Sequence, residues 1–315
     1  MLRLSYIKYI AYTEQCVNVT YRLHILLMET ERVDLKQMSN ATYHALPSVS
    51  KSHLDEINRS PYHYWCRYLD PDRIIPEPTK AMIIGSAFHT LVLEQHLFDK
   101  EYIIEPIDAP KRPTAVQRNA KKPSAQTLDA IAYWDDFDKK ADKKTLLSRE
   151  DYDRLVIMRN RVYEHPAANT ILYMKGKYEQ SYQWTDEATG EICKSRPDFH
   201  TADCSLLVDL KTTEDASEYG FKKSCHTYRY HVQAAWYLRS LQKAESFVFI
   251  AVEKKPPYMV AVYNASANMI AAGNRVADKN LATLAECRKT GKWVGYSEEI
   301  TELDLPPYNL SLIHI

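Results

Sequence analysis

Three runs of strand-forming residues, 178–184, 192–200 and 206–211, follow one another at turn-length gaps, the first two joined by the polar turn Thr-Asp-Glu-Ala-Thr-Gly at 185–190. Gaps this short leave no room for a crossover helix, so the spacing predicts an antiparallel meander. The last run, LLVDLKTT, constrains the fold further. Side chains at i and i+2 of a strand share a face, so Asp209 and Lys211 project together while Val208 and Leu210 turn into the core. Any fold that buries this strand must pack one face with apolar groups and aim a carboxylate and an ammonium at one spot on the other.

Helical patterns frame the meander. From Ser48, SVSKSHLDEINRSPYHYWCRYL predicts a helix capped by Ser50 or Ser52, with Glu56 in its first turns, and an aromatic stretch after Pro61. Beyond a proline-broken loop at 70–78, TKAMIIGSAFHTLVLEQHLF is a strongly apolar helix. Further helices are expected at 149–164 and 227–243, a buried strand at 246–253, its partner at 258–264 across Pro256-Pro257, and a long closing helix at 265–289. No internal repeat is visible. The fold class that follows is α+β and sandwich-like, a central mixed β-sheet flanked by helices.

With 315 residues, a prior of roughly 150 residues per domain allows two domains or one large domain with insertions. We read a single domain at 43–309. Residues 1–42 read as a non-native or disordered extension, with Met28 and Met38 as alternative starts, and 310–315 (LSLIHI) as an artefactual tail. The segment 107–149 is a basic insertion in which ten lysines and arginines are diluted by Asp135, Asp136, Asp138 and Asp142. It is a lid, a phosphate-tracking arm or a solvated loop. Apolar residues at 45% and charged residues at 26% exclude collagen, disorder and coiled coil. Lys+Arg and Asp+Glu both number 41, so no global field draws the chain to DNA or an anionic membrane, and any basic surface is local. Six scattered cysteines without a C-x-x-C pair argue against a disulfide framework or cysteine-rich metal site and favour a reducing cytosol. No apolar run is long enough to span a membrane.

Asp198, in SRPDFH, lies eleven residues before Asp209, and a hairpin-like connection sets the two carboxylates side by side. Converging carboxylates make a hard-cation site suited to Mg²⁺, with Mn²⁺ as a substitute. Such an ion activates water and stabilises the departing oxygen of a phosphodiester, while Lys211 orients the water or neutralises charge in the transition state. A surface strand with an Asp/Lys ion pair would give the same letters, so the rest of the chain matters. Gly85 and His89 share a helix face, so a small residue permits close backbone approach beneath a histidine able to ligate metal. Gln233 and Tyr237 share another. Glu179 is a further acidic candidate on the strand before Asp198. Tyr182 and Trp184 are expected to be core.

Taken in order, G-x-x-x-H, R-P-D, D-x-K and Q-x-x-x-Y resemble the RecB-type branch of the PD-(D/E)XK nuclease superfamily. More closely, the stretch from about Leu46 to Pro307, through GSAFHTLVLEQHLFD, SRPDFH, VDLKTTEDAS, YHVQAAWY, FVFIAVEKKPPY and GKWVGY, is similar to the C-terminal nuclease domain of RecE (exonuclease VIII) of prophages. That resemblance implies a PD-(D/E)XK core and a Mg²⁺-dependent exonuclease. It would degrade one strand of linear double-stranded DNA from 5′ to 3′ and leave a 3′ single strand for a RecT-like single-strand annealing protein. It also implies a ring-shaped homo-oligomer, a tetramer, in the cytoplasm of a bacterial host. The family's metal ligands fall on His89, Asp198 and Asp209 and its catalytic lysine on Lys211, with Gln233 and Tyr237 supporting the site. Two other readings are a RecB-family nuclease of different substrate, such as a CRISPR-associated type or an endonuclease, and an inactive DNA-end-binding scaffold. The scattered cysteines argue against the iron–sulfur form of the first, and the intact Asp198, Asp209 and Lys211 against the second.

Overall fold

The computed structural model describes residues 33–35 and 38–304. The chain enters through strand β1 (Val33–Leu35), helix α1 (Asn40–Ala45) and the helix pair α2 (Lys51–Arg59) and α3 (Pro61–Tyr68). Ser50 is the N-cap of α2, where its backbone N–H donates to His53 Nδ1 at 2.9 Å. The aromatic stretch after Pro61 is helical because Ser60 caps it and proline takes the first position, where its missing N–H is harmless. The expected domain start at 43 is too late: β1 pairs with a later strand, and the Asn40 side chain holds Arg196 at 2.7 Å. Of the extension expected at 1–42, residues 1–32, 36 and 37 lie outside the described residues, as does the expected tail at 310–315.

Next come α4 (Lys80–Leu93), capped by Thr79, and α5 (Gln95–Glu101). The basic insertion is a folded unit with its own packing. It holds α6 (Ala115–Arg118), α7 (Ala125–Ala141) and β3 (Thr145–Leu147), and β3 pairs in parallel with the preceding strand β2 (Tyr102–Ile104). Trp134 is fully buried, donates to Pro110 O at 2.8 Å and carries the Arg112 guanidinium on its ring. Arg112, Arg118 and Lys140 pair with Asp138, Asp135 and Asp136 at 2.7–2.8 Å. The aspartates thus neutralise these three of the segment's cations.

After α8 (Arg149–Glu164) and α9 (Pro166–Leu172) the sheet begins: β4 (Gly176–Tyr178), β5 (Ser181–Thr185), β6 (Ile192–Ser195), β7 (Phe199–Thr201) and β8 (Leu206–Thr213). Helices α10 (Glu218–Thr227) and α11 (Tyr230–Ser240) cross over to β9 (Ser246–Glu253), which pairs with β8 in parallel; β10 (Val260–Asn264) and α12 (Ala267–Thr290) close the chain. The central sheet runs β10-β9-β8-β7-β4 and is mixed. The expected meander is present but broken. Its first two members each split, so that β4 and β7 join the central sheet while β5 and β6 join β1 in a separate three-stranded sheet.

Strand alternation decides what covers each face. Val208, Leu210, Ile250 and Val252 pack on Phe88 and Leu91 of α4 and Leu155 and Met158 of α8. Leu207, Phe247, Phe249 and Ala251 pack on Phe221 of α10 and Ala234 of α11. Each such side chain, fully buried, contributes roughly 1.5–3 kcal/mol. The closing helix lies so near α11 that a Cβ at Gly273 would overlap the His231 carbonyl, so glycine is required there.

Candidate metal centre

The break in the hairpin places the acidic residues. Glu179 and Gln180 separate β4 from β5, and Arg196, Pro197 and Asp198 separate β6 from β7, so both strands turn from one sheet to the other at the same level. Glu179 adopts φ +48°, and its N–H donates to the Asp198 carbonyl at 3.0 Å. A left-handed conformation in a residue with a Cβ costs on the order of 1–3 kcal/mol and clusters at functional positions. The site sits where the ladder gives up its regular pairing and frees side chains from strand alternation.

His89 reaches this break from the middle of α4. One ligand atom each of His89, Glu179 and Asp198 lie within 4.8 Å of one another. His89 Nδ1 is 3.4 Å from Asp198 Oδ2, and that oxygen also accepts the Leu210 N–H at 2.6 Å. Burial, then repulsion from Asp198 and Glu94, pushes Glu179 up to about 9. The protein thus gathers carboxylates too close to be ionised together without a positive partner. A nitrogen and two carboxylate oxygens suit a divalent cation such as Mg²⁺ or Mn²⁺, and an added positive charge would remove the repulsion. The donor set fits the metal expected from the sequence.

Asp209 and Lys211 project from β8 on one face, as strand alternation requires. Their side chains pair at 2.5 Å, and Asp209 is fully buried. Burial pushes Asp209 up to about 6 against the pull of Lys211. Burial acts on Lys211 in the opposite sense, but Asp209 and Asp198 outweigh it and hold the ammonium above its usual range. The pair is therefore ionised at neutral pH. Asp209 stands outside the His89–Glu179–Asp198 group: its other oxygen accepts from Gln233 Nε2, and Asp198 and His89 act on it through their charges. The structure thus brings all six expected residues to one place, with Glu179 in the innermost cluster.

Gln233 holds Asp209, and Tyr237 is linked to Gln233 by a hydrogen bond. Burial, then Tyr43, Asp209 and Asp198, keeps the Tyr237 hydroxyl well above its ordinary value, so it remains a proton donor. Sequence reasoning missed four participants. The Tyr230 ring packs 4.9 Å from Lys211 Nζ. Glu94, at the end of α4, adds negative charge beside Glu179. Arg196, the arginine of the R-P-D motif, offsets part of it. Lys51 of α2 borders Lys211, and burial depresses its ammonium. Only Arg196 had a signal in the sequence, its place beside Asp198. The others arrive from distant segments.

The expected close approach at Gly85 is absent: a Cβ added there would meet no protein atom within 4 Å. Gly85 lines a cleft instead.

A mixed sheet covered by helices on both faces, with an acidic cluster where its strands break and an Asp-x-Lys pair on its central strand, defines the class of PD-(D/E)XK nuclease folds. Residues 50–306 match the family model described as PDDEXK-like domain of unknown function (DUF3799), and the chain belongs to that family. The fold is also similar to the crystal structure of a Eubacterium rectale protein named as an inferred exonuclease. The TM-score is 0.56 at 13% identity over 88% of this chain and 99% of that one. An alkaline exonuclease from Laribacter hongkongensis matches at TM-score 0.28 and 12% identity over 65% of this chain and 97% of that one. That second likeness is too slight to bear weight. No curated protein matches the chain. Among the described residues, no helix is long and apolar enough to cross a membrane.

Proposed function

We propose that this chain is a Mg²⁺-dependent exonuclease acting on linear double-stranded DNA from 5′ to 3′ and leaving a 3′ single strand for a RecT-like annealing protein. The observation that carries the nuclease reading is the convergence of His89, Glu179 and Asp198 within 4.8 Å beside the Asp209–Lys211 pair. His89, Glu179 and Asp198 would hold the cation, with Asp209 at its border. When bound, the ion supplies Lewis-acid stabilisation of the phosphate and a more acidic water. Lys211, ionised and fixed by Asp209, neutralises charge as it builds on the phosphate oxygens. Gln233 fixes Asp209 in turn, and the buried Tyr237 hydroxyl keeps its proton. Strand polarity, the annealing partner and a ring-shaped tetramer rest on the resemblance of the motifs to the RecE nuclease domain.

The test is digestion of linear duplex DNA labelled at one 5′ end, beside a closed circular control, in Mg²⁺ and then in EDTA. Metal-dependent loss of the label with the circle spared is expected. Cutting of the circle would make the chain an endonuclease, and no cutting of either would overturn the enzymatic reading.

A further inference from the structure

Resting on the nuclease reading, we infer that the cleft between α4 and the far end of β8 is a second subsite, which seats a nucleotide of the single-stranded segment next to the scissile bond. The cleft encloses about 380 Å³, within the range of small-ligand pockets. Gly85 on one wall lies one helical turn before His89, and Thr212 on another shares the α4 face of β8 with Leu210, whose N–H holds Asp198. A strand held at the metal cluster therefore reaches the cleft with its neighbouring nucleotide.

The lining has the two chemistries a nucleotide needs. Ala81, Ile84 and Met158 supply an apolar floor against which a base can lie. The rim is cationic. Lys80 pairs with Asp151 at 2.9 Å and Arg154 with the same carboxylate, while Lys254 and Lys255 share Glu214 at 3.3 and 3.1 Å. Four cations against two carboxylates leave two positive charges, and both lysines of the β9–β10 turn are substantially exposed. An anionic polymer meets that rim with complementary charge.

Gly85 supplies the independent observation. At Gly176 and Gly273 a Cβ would overlap backbone of this protein, so packing explains those glycines. At Gly85 nothing lies within 4 Å, yet a glycine inside a helix costs about 1 kcal/mol relative to alanine. The space a methyl group would enter is the cleft itself. What alanine would obstruct is an occupant.

The experiment measures equilibrium binding of a labelled single strand of about twelve nucleotides, with Ca²⁺ replacing Mg²⁺, to the wild type, Gly85→Ala and the double variant Lys254→Ala/Lys255→Ala. Melting temperature and cleavage are recorded alongside. Each variant is expected to bind about tenfold more weakly, and the lysine variant to lose roughly 1.4 from its log–log salt slope, two phosphate contacts' worth. Gly85→Ala should melt at the same temperature or higher, since the helix gains; a lower melting temperature makes the glycine a packing residue and overturns its role. Wild-type affinity in both variants, with cleavage intact, removes the cleft and leaves the metal site standing. Weakened binding by variants of a wild type that cleaves nothing removes the nuclease reading and keeps the cleft. Equal displacement of the strand by polyglutamate shows a charged patch only and overturns the seat.

Discussion

The bent hairpin carries two sets of buried charges, one on each side of its break, and they are treated in opposite ways. On the β5–β6 side Lys194 donates to the carbonyls of Tyr43 and Leu46, both at 2.8 Å, over the Tyr43 ring. Arg196 donates to Ser181 Oγ, Asn40 Oδ1 and the Met38 carbonyl and stacks on the same ring. On the β4–β7 side Glu179, Asp198 and Asp209 repel one another, and among the described residues only Asp209 has a close ammonium. The basic cluster is satisfied by the fold; the acidic cluster is left wanting a cation. Buried charges that serve structure are answered internally, whereas those that serve binding are left incomplete until the ligand arrives.

The sharpest way to break this contrast is to remove charge from the acidic side. Asp198→Asn or Asp209→Asn keeps the shape of the residue and abolishes a carboxylate, so cleavage should fall by roughly a thousandfold or more, about 4 kcal/mol of transition-state stabilisation. The melting temperature of metal-free Asp198→Asn should hold or rise, because repulsion is relieved, whereas Asp209→Asn leaves the Lys211 ammonium without its partner and should melt lower. An Asp198→Asn protein that unfolds while losing activity would show the acidic cluster to be structural after all. Lys211→Ala comes next, with an expected loss of about a hundredfold in kcat and little change in metal affinity measured by calorimetry. Full activity in that variant would take Lys211 out of the chemistry.

On the basic side the same kind of substitution should act on stability. Lys194→Ala strands the Tyr43 and Leu46 carbonyls in the interior, and hydrogen bonds to charged groups are worth about 1.5–3 kcal/mol each. A loss of about 3 kcal/mol in urea unfolding is expected, with cleavage per folded molecule retained. A variant as stable as the wild type would mean that water replaces the ammonium and that the two clusters differ less than their geometry suggests.

The fold class was legible because strand alternation in LLVDLKTT and the apolar run SFVFIAVE are local patterns with one reading each. The helices at 149–164 and 265–289 matched to within two residues for the same reason. The break in the hairpin was marked only by Pro197 and Asp198, which disfavour a strand interior, between runs that otherwise read as strand. Which sheet each half joins is a tertiary choice that local pattern does not carry. Asp209, Lys211 and Gln233 could be placed by periodicity. Lys51, Glu94 and Tyr230 could not, because they reach the site through helix packing between segments far apart in sequence. For the insertion at 107–149 composition left a lid, an arm and a solvated loop open, because the burial of Trp134 and the pairing of Arg112, Arg118 and Lys140 with Asp138, Asp135 and Asp136 are tertiary facts.

Glu179→Gln tests the acidic side at smaller amplitude. Its carboxyl is raised from 4.5 to about 9 in the metal-free fold, so the folded state binds the extra proton between those values. Stability from this group is present below about pH 4.5 and is lost as pH rises through 9. In EDTA the wild type should therefore weaken from pH 6 to pH 8 while Glu179→Gln stays level, and Mg²⁺ should restore the wild type alone. Equal pH profiles with and without metal would remove Glu179 from the cation site.

His53 offers the matching experiment on the basic side, with the opposite sign. Its Nδ1 accepts the Ser50 N–H at the start of α2, which requires the neutral ring. Burial, then the charges of Lys194 and Arg288, lowers it from 6.5 to about 3. The folded pKa is depressed, so the unfolded chain binds the proton first as pH falls below 6.5. Stability is complete above that value and declines toward pH 3, by about 1 kcal/mol per pH unit in the middle of the window. Urea midpoints at descending pH should fall in the wild type and fall less in His53→Asn, whose side-chain oxygen can keep the cap. Parallel decline in both proteins would trace the acid sensitivity to carboxylates elsewhere. A flatter curve in the variant would show that the satisfied cluster carries its own titration penalty, set by burial first and then by Lys194, held on the Tyr43 and Leu46 carbonyls, and Arg288, held by Glu191 and Tyr64.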